Sequence, residues 1–589
     1  GQSDSYALRR RLEALYLADR RAEARKLFES LPGDLRAASQ YLYVGINIYQ
    51  RAGLLKPALR LVEKALLQED TLRVRMAWIH LLMRLGRSTE ALPWLEELPD
   101  SIDGSPDELM TLAWVLGQYH AGNPKSLAIG YRALRSGYGQ PSIHTAFAVG
   151  LILNGQPNEA ALAPPSAVGP GTGIVLLNEV TGERIHRLIE TEVDPMIDRD
   201  EISPNDPFAK QMVGLKVGET TEIPKLGFEP QTYRVMEIQS RYVFAFQRTV
   251  RDFSRLFPGN ATFGSFSIDD SKGDHRFEEV FAVARRRAAQ GNEITTMYRD
   301  NVLPLPMVAK FSGSSVFDVW DHLSVNSKLG LKSALGISGE FETGREAADR
   351  GIILVDPVSI YAWTRLGLCA TLLKSGSRLA VVQATIDLFR QLLKERQSQR
   401  GRKMGILGWD GEHCRMAEFT EQAIERQVEE ASAALEFTQK LMLLPAETDE
   451  FLPDSIADLL KDLEPAYYDT LIASLGPKRA LLSDDLGFRV IAQGAGAAVS
   501  WTQPFEQVSL FSKYISHAEY IEVIASLIDA NYYFTQFNHR DIIGELKNSG
   551  WVINDRLRRF VRLMTNTTLD RASIATLLGN LLLARLRTY

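Results

Sequence analysis

The chain has 589 residues, 45% of them hydrophobic and 24% charged, with a formal net charge of −6 and a pI near 6.0. That length provides for three or four domains with separate cores. The mild acidity excludes a uniformly basic nucleic-acid coat, so any nucleic-acid site must be a local basic patch.

Two cysteines, Cys369 and Cys414, exclude a disulfide framework and point to a reducing, cytoplasmic setting. No stretch reads as a signal peptide, and the apolar run Leu577–Leu583 is too short to span a bilayer. No membrane partner is expected. The first residue is Gly rather than Met, as a tag remnant or a piece of a longer protein would give.

The N-terminal region repeats. Asp19, Gly53, Gly86, Gly122 and Gly155 fall at intervals of 34, 33, 36 and 33 residues, each between two amphipathic helical stretches. Ala24, Ala58 and Ala91 recur five residues after three of these turns, where a small side chain lets paired helices approach. This pattern resembles the tetratricopeptide repeat over residues 5 to 162. The resemblance implies an α-helical solenoid that binds a protein partner on its concave face.

A Pro/Gly/Ala-rich connector at 163–173 contains GPGTG. No Gly-Lys-Ser/Thr follows it, so it reads as a linker rather than a phosphate loop. Next comes a β-rich stretch. In it, Pro207-Phe208-Ala209 leads through four residues to Gly214-Leu215-Lys216-Val217-Gly218-Glu219. That spacing resembles the C-terminal domain of the GreA/GreB transcript-cleavage factors, which implies a small α+β, FKBP-like domain over 163–245. Those factors act through an acidic coiled coil, for which the helical repeats stand here. Transcript cleavage is therefore not implied, although RNA polymerase is an expected partner. Residues 246–345 read as helical connecting region without chemistry of their own.

From residue 346 the pattern becomes alternating strands and helices. GIILVDPVS, RLAVVQATI, RALLSDDLG and AAVSW read as strands of a parallel sheet, with helices between them. Asp356, Asp387, Asp469, Asp484 and Asp485 lie near strand ends or helix starts, where ligands of doubly wound sheets bind. Carboxylates converging there could hold Mg²⁺ or Mn²⁺, a hard ion that activates water and neutralises phosphate charge.

The order Ile353-Leu354-Val355-Asp356, Val382…Ile386-Asp387, Asp469-Thr470-Leu471-Ile472-Ala473 and Leu481-Leu482-Ser483-Asp484-Asp485 resembles the PIN domain. That family of nucleases includes many bacterial toxin ribonucleases. The resemblance implies a C-terminal α/β PIN-like domain over 346–589, with those five aspartates as catalytic metal ligands. The family's second acid is usually Glu; here it is Asp387, with Glu395 further along the same helix.

Arg396, Arg400, Arg402 and Lys403, together with Lys478, Arg479 and Arg489, are the expected phosphate-binding cations. The expected activity is metal-dependent hydrolysis of RNA, in preference to DNA, by a targeted or restrained nuclease of the bacterial toxin or antiviral-defence kind. The rivals are a non-catalytic adaptor with a degenerate PIN scaffold and a polymerase-binding transcription factor.

Overall fold

The computed structural model describes residues 6–99, 101–119, 122–153, 158–191, 194–225, 228–260, 278–326, 328–375, 378–401, 405–409, 411–450, 452–537, 539–564 and 571–586. They form two compact units, one of residues 62–276 and one of residues 1–61 with 277–589. The boundary at 61/62 falls inside helix Leu55–Gln68.

The unit of residues 62–276 begins with helices. Gly86 and Gly122 both adopt left-handed backbone, with φ of 72° and 79°, which explains why glycine recurs at these turns. Helices Pro106–Tyr119 and Pro124–Ser136 pack closely. Small residues permit it: the Ser126 hydroxyl donates to the Ala113 carbonyl at 2.8 Å, and a Cβ on Gly117 would come within 2.8 Å of Ser126 Oγ.

A five-stranded sheet follows, built from β1 (Thr172–Asn178), β2 (Arg184–Ile189), β3 (Glu201–Ile202), β4 (Thr220–Lys225) and β5 (Phe228–Ser240). The strand order is β3-β2-β1-β5-β4. Helix Pro207–Met212, capped by Asp206 accepting from the Phe208 amide at 2.8 Å, covers it. Ala209 and Met212 join Ile174, Leu176, Ile189, Val235 and Ile238 in a buried core. Gly214 and Gly218, the glycines of the Gly-x-Lys-Val-Gly motif, have φ of 92° and 89°, conformations that a residue with a Cβ resists.

The other unit opens with helices Tyr6–Leu17, Arg21–Glu29 and Ser39–Arg51. Asp19 and Gly53 turn the chain with φ of 54° and 74°, and Ala24 and Ala58 are buried. Gly155, the last repeat position, lies outside the described residues.

Residues 278–589 contribute β6 (Leu331–Lys332), β7 (Ile352–Val355), β8 (Leu379–Val382), β9 (Gly405–Trp409), β10 (Cys414–Glu418), β11 (Met442–Leu444), β12 (Arg479–Leu482), β13 (Val499–Ser500) and β14 (Tyr532–Tyr533). The central sheet has the order β11-β8-β7-β12-β13 and is wholly parallel. From β7 the chain winds outward to β8 and β11, then returns to β12 on the other side of β7. The strand order therefore reverses between β7 and β12, where a crevice opens at the carboxyl ends of such sheets.

The central strands are buried apart from the first residues of β7 and β12, Ile352 and Arg479, as two helix-covered faces require. Helices Glu278–Asp300, Leu305–Ser312 and Val316–Val325 pack into the same apolar core through residues such as Ile294, Leu305 and Trp320. A smaller core gathers Ile521, Ile524, Ile542, Leu557 and Phe560 from the last helices. No described helix is long and apolar enough to cross a membrane.

Candidate active centre

The centre is assembled at the reversal between β7 and β12. Leu482 pairs with Val355, so the residues that follow, Asp356 and Ser483-Asp484-Asp485, emerge side by side. Asp356 caps helix Pro357–Arg365, its Oδ1 accepting from the Ser359 amide at 2.9 Å. Its Oδ2 accepts from the Ser483 hydroxyl at 2.9 Å. The Asp484 amide donates to Ser359 Oγ at 2.8 Å, which ties the two strand ends together.

Asp484 is gripped by Thr502, whose amide donates to Oδ1 at 2.9 Å and whose hydroxyl donates to Oδ2 at 2.7 Å. The Tyr532 hydroxyl adds a third donor at 3.3 Å. Indole N–H groups of Trp363 and Trp320 support Thr502 and Tyr532 at 2.7 and 3.1 Å. Asp485 caps helix Leu486–Gly494 through the Gly487 amide at 2.9 Å, and its other oxygen accepts from the Leu305 amide at 2.7 Å. Residues 246–345 thus do supply a group to the centre, contrary to the expectation of mere packing.

All three carboxylates are 4% exposed or less. Burial pushes Asp356 up to about 7 and Asp485 up to about 6, and raises Asp484. Low polarity disfavours the charged form more than neutral donors favour it. Arg489 lies among them, pulled down to about 10 by burial while Asp484, Glu340, Asp485 and Asp356 resist the shift. Its guanidinium donates to the carbonyls of Ser483 and Ser333 and sits 4.6 Å from the centre of the Trp501 ring. Tyr467 is fully buried, its hydroxyl has no hydrogen-bond partner among the described residues, and Asp356 and Asp485 act on it electrostatically.

The structure brings Asp356, Asp484 and Asp485 together and directs the other two aspartates elsewhere. Asp469 Oδ1 accepts from Arg21 at 2.7 Å. Tyr467 and Asp469 are two residues apart on one helix, about 200° around its axis, so the tyrosine faces the cluster and the aspartate faces away. Asp387 Oδ1 accepts from Gln383 at 2.9 Å and Arg390 at 3.0 Å.

The expected basic patch is dispersed. Arg396 pairs with Asp318 at 2.5 Å and Arg400 with Glu425 at 2.7 Å; Arg402 and Lys403 lie outside the described residues. Lys478 and Arg479 stand at the amino end of β12, opposite to Asp484. Arg489 is 2% exposed, so it is an internal counter-charge rather than a surface contact.

Hard carboxylate oxygens suit Mg²⁺ or Mn²⁺ by chemistry. Each carboxylate oxygen of the three accepts a hydrogen bond, as the carboxylate ligands of an ion also do. Among the described residues no three His, Cys, Asp or Glu side chains are placed to hold one metal.

Residues 354–494 match the family model described as the PIN domain associated with the TPR-GreAB-C-PIN system. The C-terminal domain is PIN-like. The match takes in Asp356, Asp484, Asp485 and Arg489 and leaves Leu305, Thr502 and Tyr532 outside; part of what closes the PIN-like centre is thus supplied by flanking sequence. A solved prokaryotic transcription elongation factor GreA/GreB from Nitrosomonas europaea is 24% identical over 13% of this chain, with a TM-score of 0.12. The similarity spans 63% of that chain. No curated protein matches.

Proposed function

We propose that the PIN-like domain is an endonuclease that hydrolyses phosphodiesters of RNA, in preference to DNA, at the centre formed by Asp356, Asp484 and Asp485. The observation that carries this reading is their convergence at the strand reversal of a PIN-like sheet. Asp356, near 7, is suited to exchange a proton around neutrality. The arrangement described here is a closed one. Use of Mg²⁺ or Mn²⁺ requires the carboxylates first to turn towards one common point.

The test is cleavage of end-labelled single-stranded RNA with Mn²⁺, alongside calorimetric titration of Mn²⁺ into the full-length protein. Wild type is expected to cut and to bind the ion, and Asp356→Asn and Asp484→Asn to lose at least about a hundredfold in rate, on the scale of an essential catalytic group. Intact RNA under all conditions together with no ion binding would sink the reading.

A second reading, a non-catalytic adaptor, is favoured by the lack of a shared ion position among the described acids and by the Arg21–Asp469 pair. It predicts neither cleavage nor ion binding. A polymerase partner for the β-domain rests on the motif Gly214–Glu219, and co-purification with and without charge reversal of Lys216 tests it.

A further inference from the structure

The two aspartates that do not join the cluster share a neighbourhood. Asp469 meets Arg21 of residues 6–61 at the carboxyl edge of the parallel sheet, and Asp387 is held by Gln383, which Gly53 approaches at the same edge. Arg21, whose side chain is 4% exposed, donates through Nη1 to Asp469 Oδ1 at 2.7 Å and to the Ala446 carbonyl at 3.0 Å. Its Nε donates to Asp19 at 2.9 Å, and Asp19 accepts from the Tyr468 hydroxyl at 2.6 Å. The Ala446 amide donates to the Ala52 carbonyl at 2.9 Å. At the turn, a Cβ on Gly53 would come within 2.9 Å of Gln383 Cβ, and Gln383 holds Asp387. Further out, Arg25 takes Glu447 in a two-pronged pair at 2.6 and 2.8 Å, and Lys26 pairs with Asp449 at 2.7 Å.

Gln383 follows β8 directly, and Ala446 and Glu447 follow β11 closely. These residues mark the half of the carboxyl edge beside the β7/β12 centre, over which a ligand of a doubly wound sheet lies. The apolar core of the PIN-like domain is drawn from residues 294–532, whereas the links just named are almost all hydrogen bonds and ion pairs. Such an interface is weakened by salt and by competing charge more readily than an apolar one.

We propose that the N-terminal helices are a built-in plug that covers the substrate edge of the PIN-like domain, with Arg21 occupying Asp469. This rests on the nuclease reading above. Undocking exposes Ala446 and Gln383 and frees the Asp469 carboxylate from Arg21 to meet an incoming cation.

The test uses the full-length chain with Arg25→Glu and Lys26→Glu, and a second protein that adds Glu447→Arg and Asp449→Lys. None of the four belongs to the acidic centre. Two readouts are taken, the exchange rate of the Ala446 amide and the cleavage of a labelled oligoribonucleotide in Mn²⁺. The double variant is expected to raise both at least tenfold, and the four-residue swap to return both towards wild type. Faster exchange with wild-type cleavage by an active enzyme overturns the plug and leaves the nuclease standing. Unchanged exchange also overturns it. Open exchange with no cleavage by any of the proteins, again with no Mn²⁺ binding, removes the nuclease reading and the plug with it.

Discussion

Two sets of buried acids in this chain are handled in opposite ways. Beside the small β-sheet, Glu190 and Glu201 are 1% and 0% exposed, and arginines surround both. Arg135 bridges them at 2.9 Å each, Arg241 approaches Glu190 at 3.6 Å, and Arg248 reaches Glu201 at 3.3 Å. At the PIN-like centre Asp356, Asp484 and Asp485 are as deeply buried, yet the hydrogen bonds named above come from Ser, Thr and Tyr hydroxyls and backbone amides. The nearest cation, Arg489, spends its hydrogen bonds on carbonyls. Acids compensated by full charges read as structural; at the PIN-like centre burial raises all three acids, Asp356 to about 7 and Asp485 to about 6, which is the electrostatic character of a functional site.

The largest effect expected from this contrast is in the paired set. Glu201→Ala leaves Arg248 and Arg135 buried without one counter-charge and should cost about 3–5 kcal/mol, read by urea unfolding. A loss below about 1 kcal/mol would erase the distinction.

The Asp356 centre should respond with the opposite sign. Its folded-state value of about 7 lies above the ordinary 3.8, so folding favours the protonated acid. This group supports the fold fully below about pH 4 and ceases to as pH rises through about 7. Asp356→Asn removes that dependence. The melting temperature of the variant minus that of wild type should therefore climb between pH 4 and 7, to the equivalent of a few kcal/mol. A flat difference would show that the centre is compensated after all.

The smallest effect is steric. A Cβ on Gly487 would stand 2.3 Å from the Pro304 nitrogen and 2.4 Å from the Leu303 carbonyl carbon. Gly487→Ala should cost about 1–3 kcal/mol and speed exchange of the Leu305 amide that caps Asp485. An unperturbed Leu305 amide would show that this segment is not part of the closure.

Much of the architecture was legible because it is written in local periodicity. Turns at Asp19, Gly53, Gly86 and Gly122 all have positive φ, and the run ending in Asp356 forms the expected strand. Where a glycine interrupts a pattern, the local reading blurred. The helical stretch expected between the first two strands divides into helices Pro357–Arg365 and Cys369–Lys374 around Gly367, with φ of 71°. RLAVVQATI is strand only to Val382, since the helix begins at Gln383. The place of Lys478 and Arg479 was available from order alone, because residues that open a parallel strand stand at the end away from its ligand edge.

The sequence by itself determined that the N-terminal stretches are helices and that Asp356 and Asp484-Asp485 close two parallel strands, because short-range sterics and apolar periodicity decide those properties. Only the tertiary structure decided that the strands are neighbours, that Tyr467 rather than Asp469 faces them, and that Arg489 is buried. It alone placed the Leu305 amide and the Arg21 guanidinium on acids more than a hundred residues away in the chain. Those contacts depend on helix phase and on backbone groups brought together by packing, which no local pattern of side chains encodes.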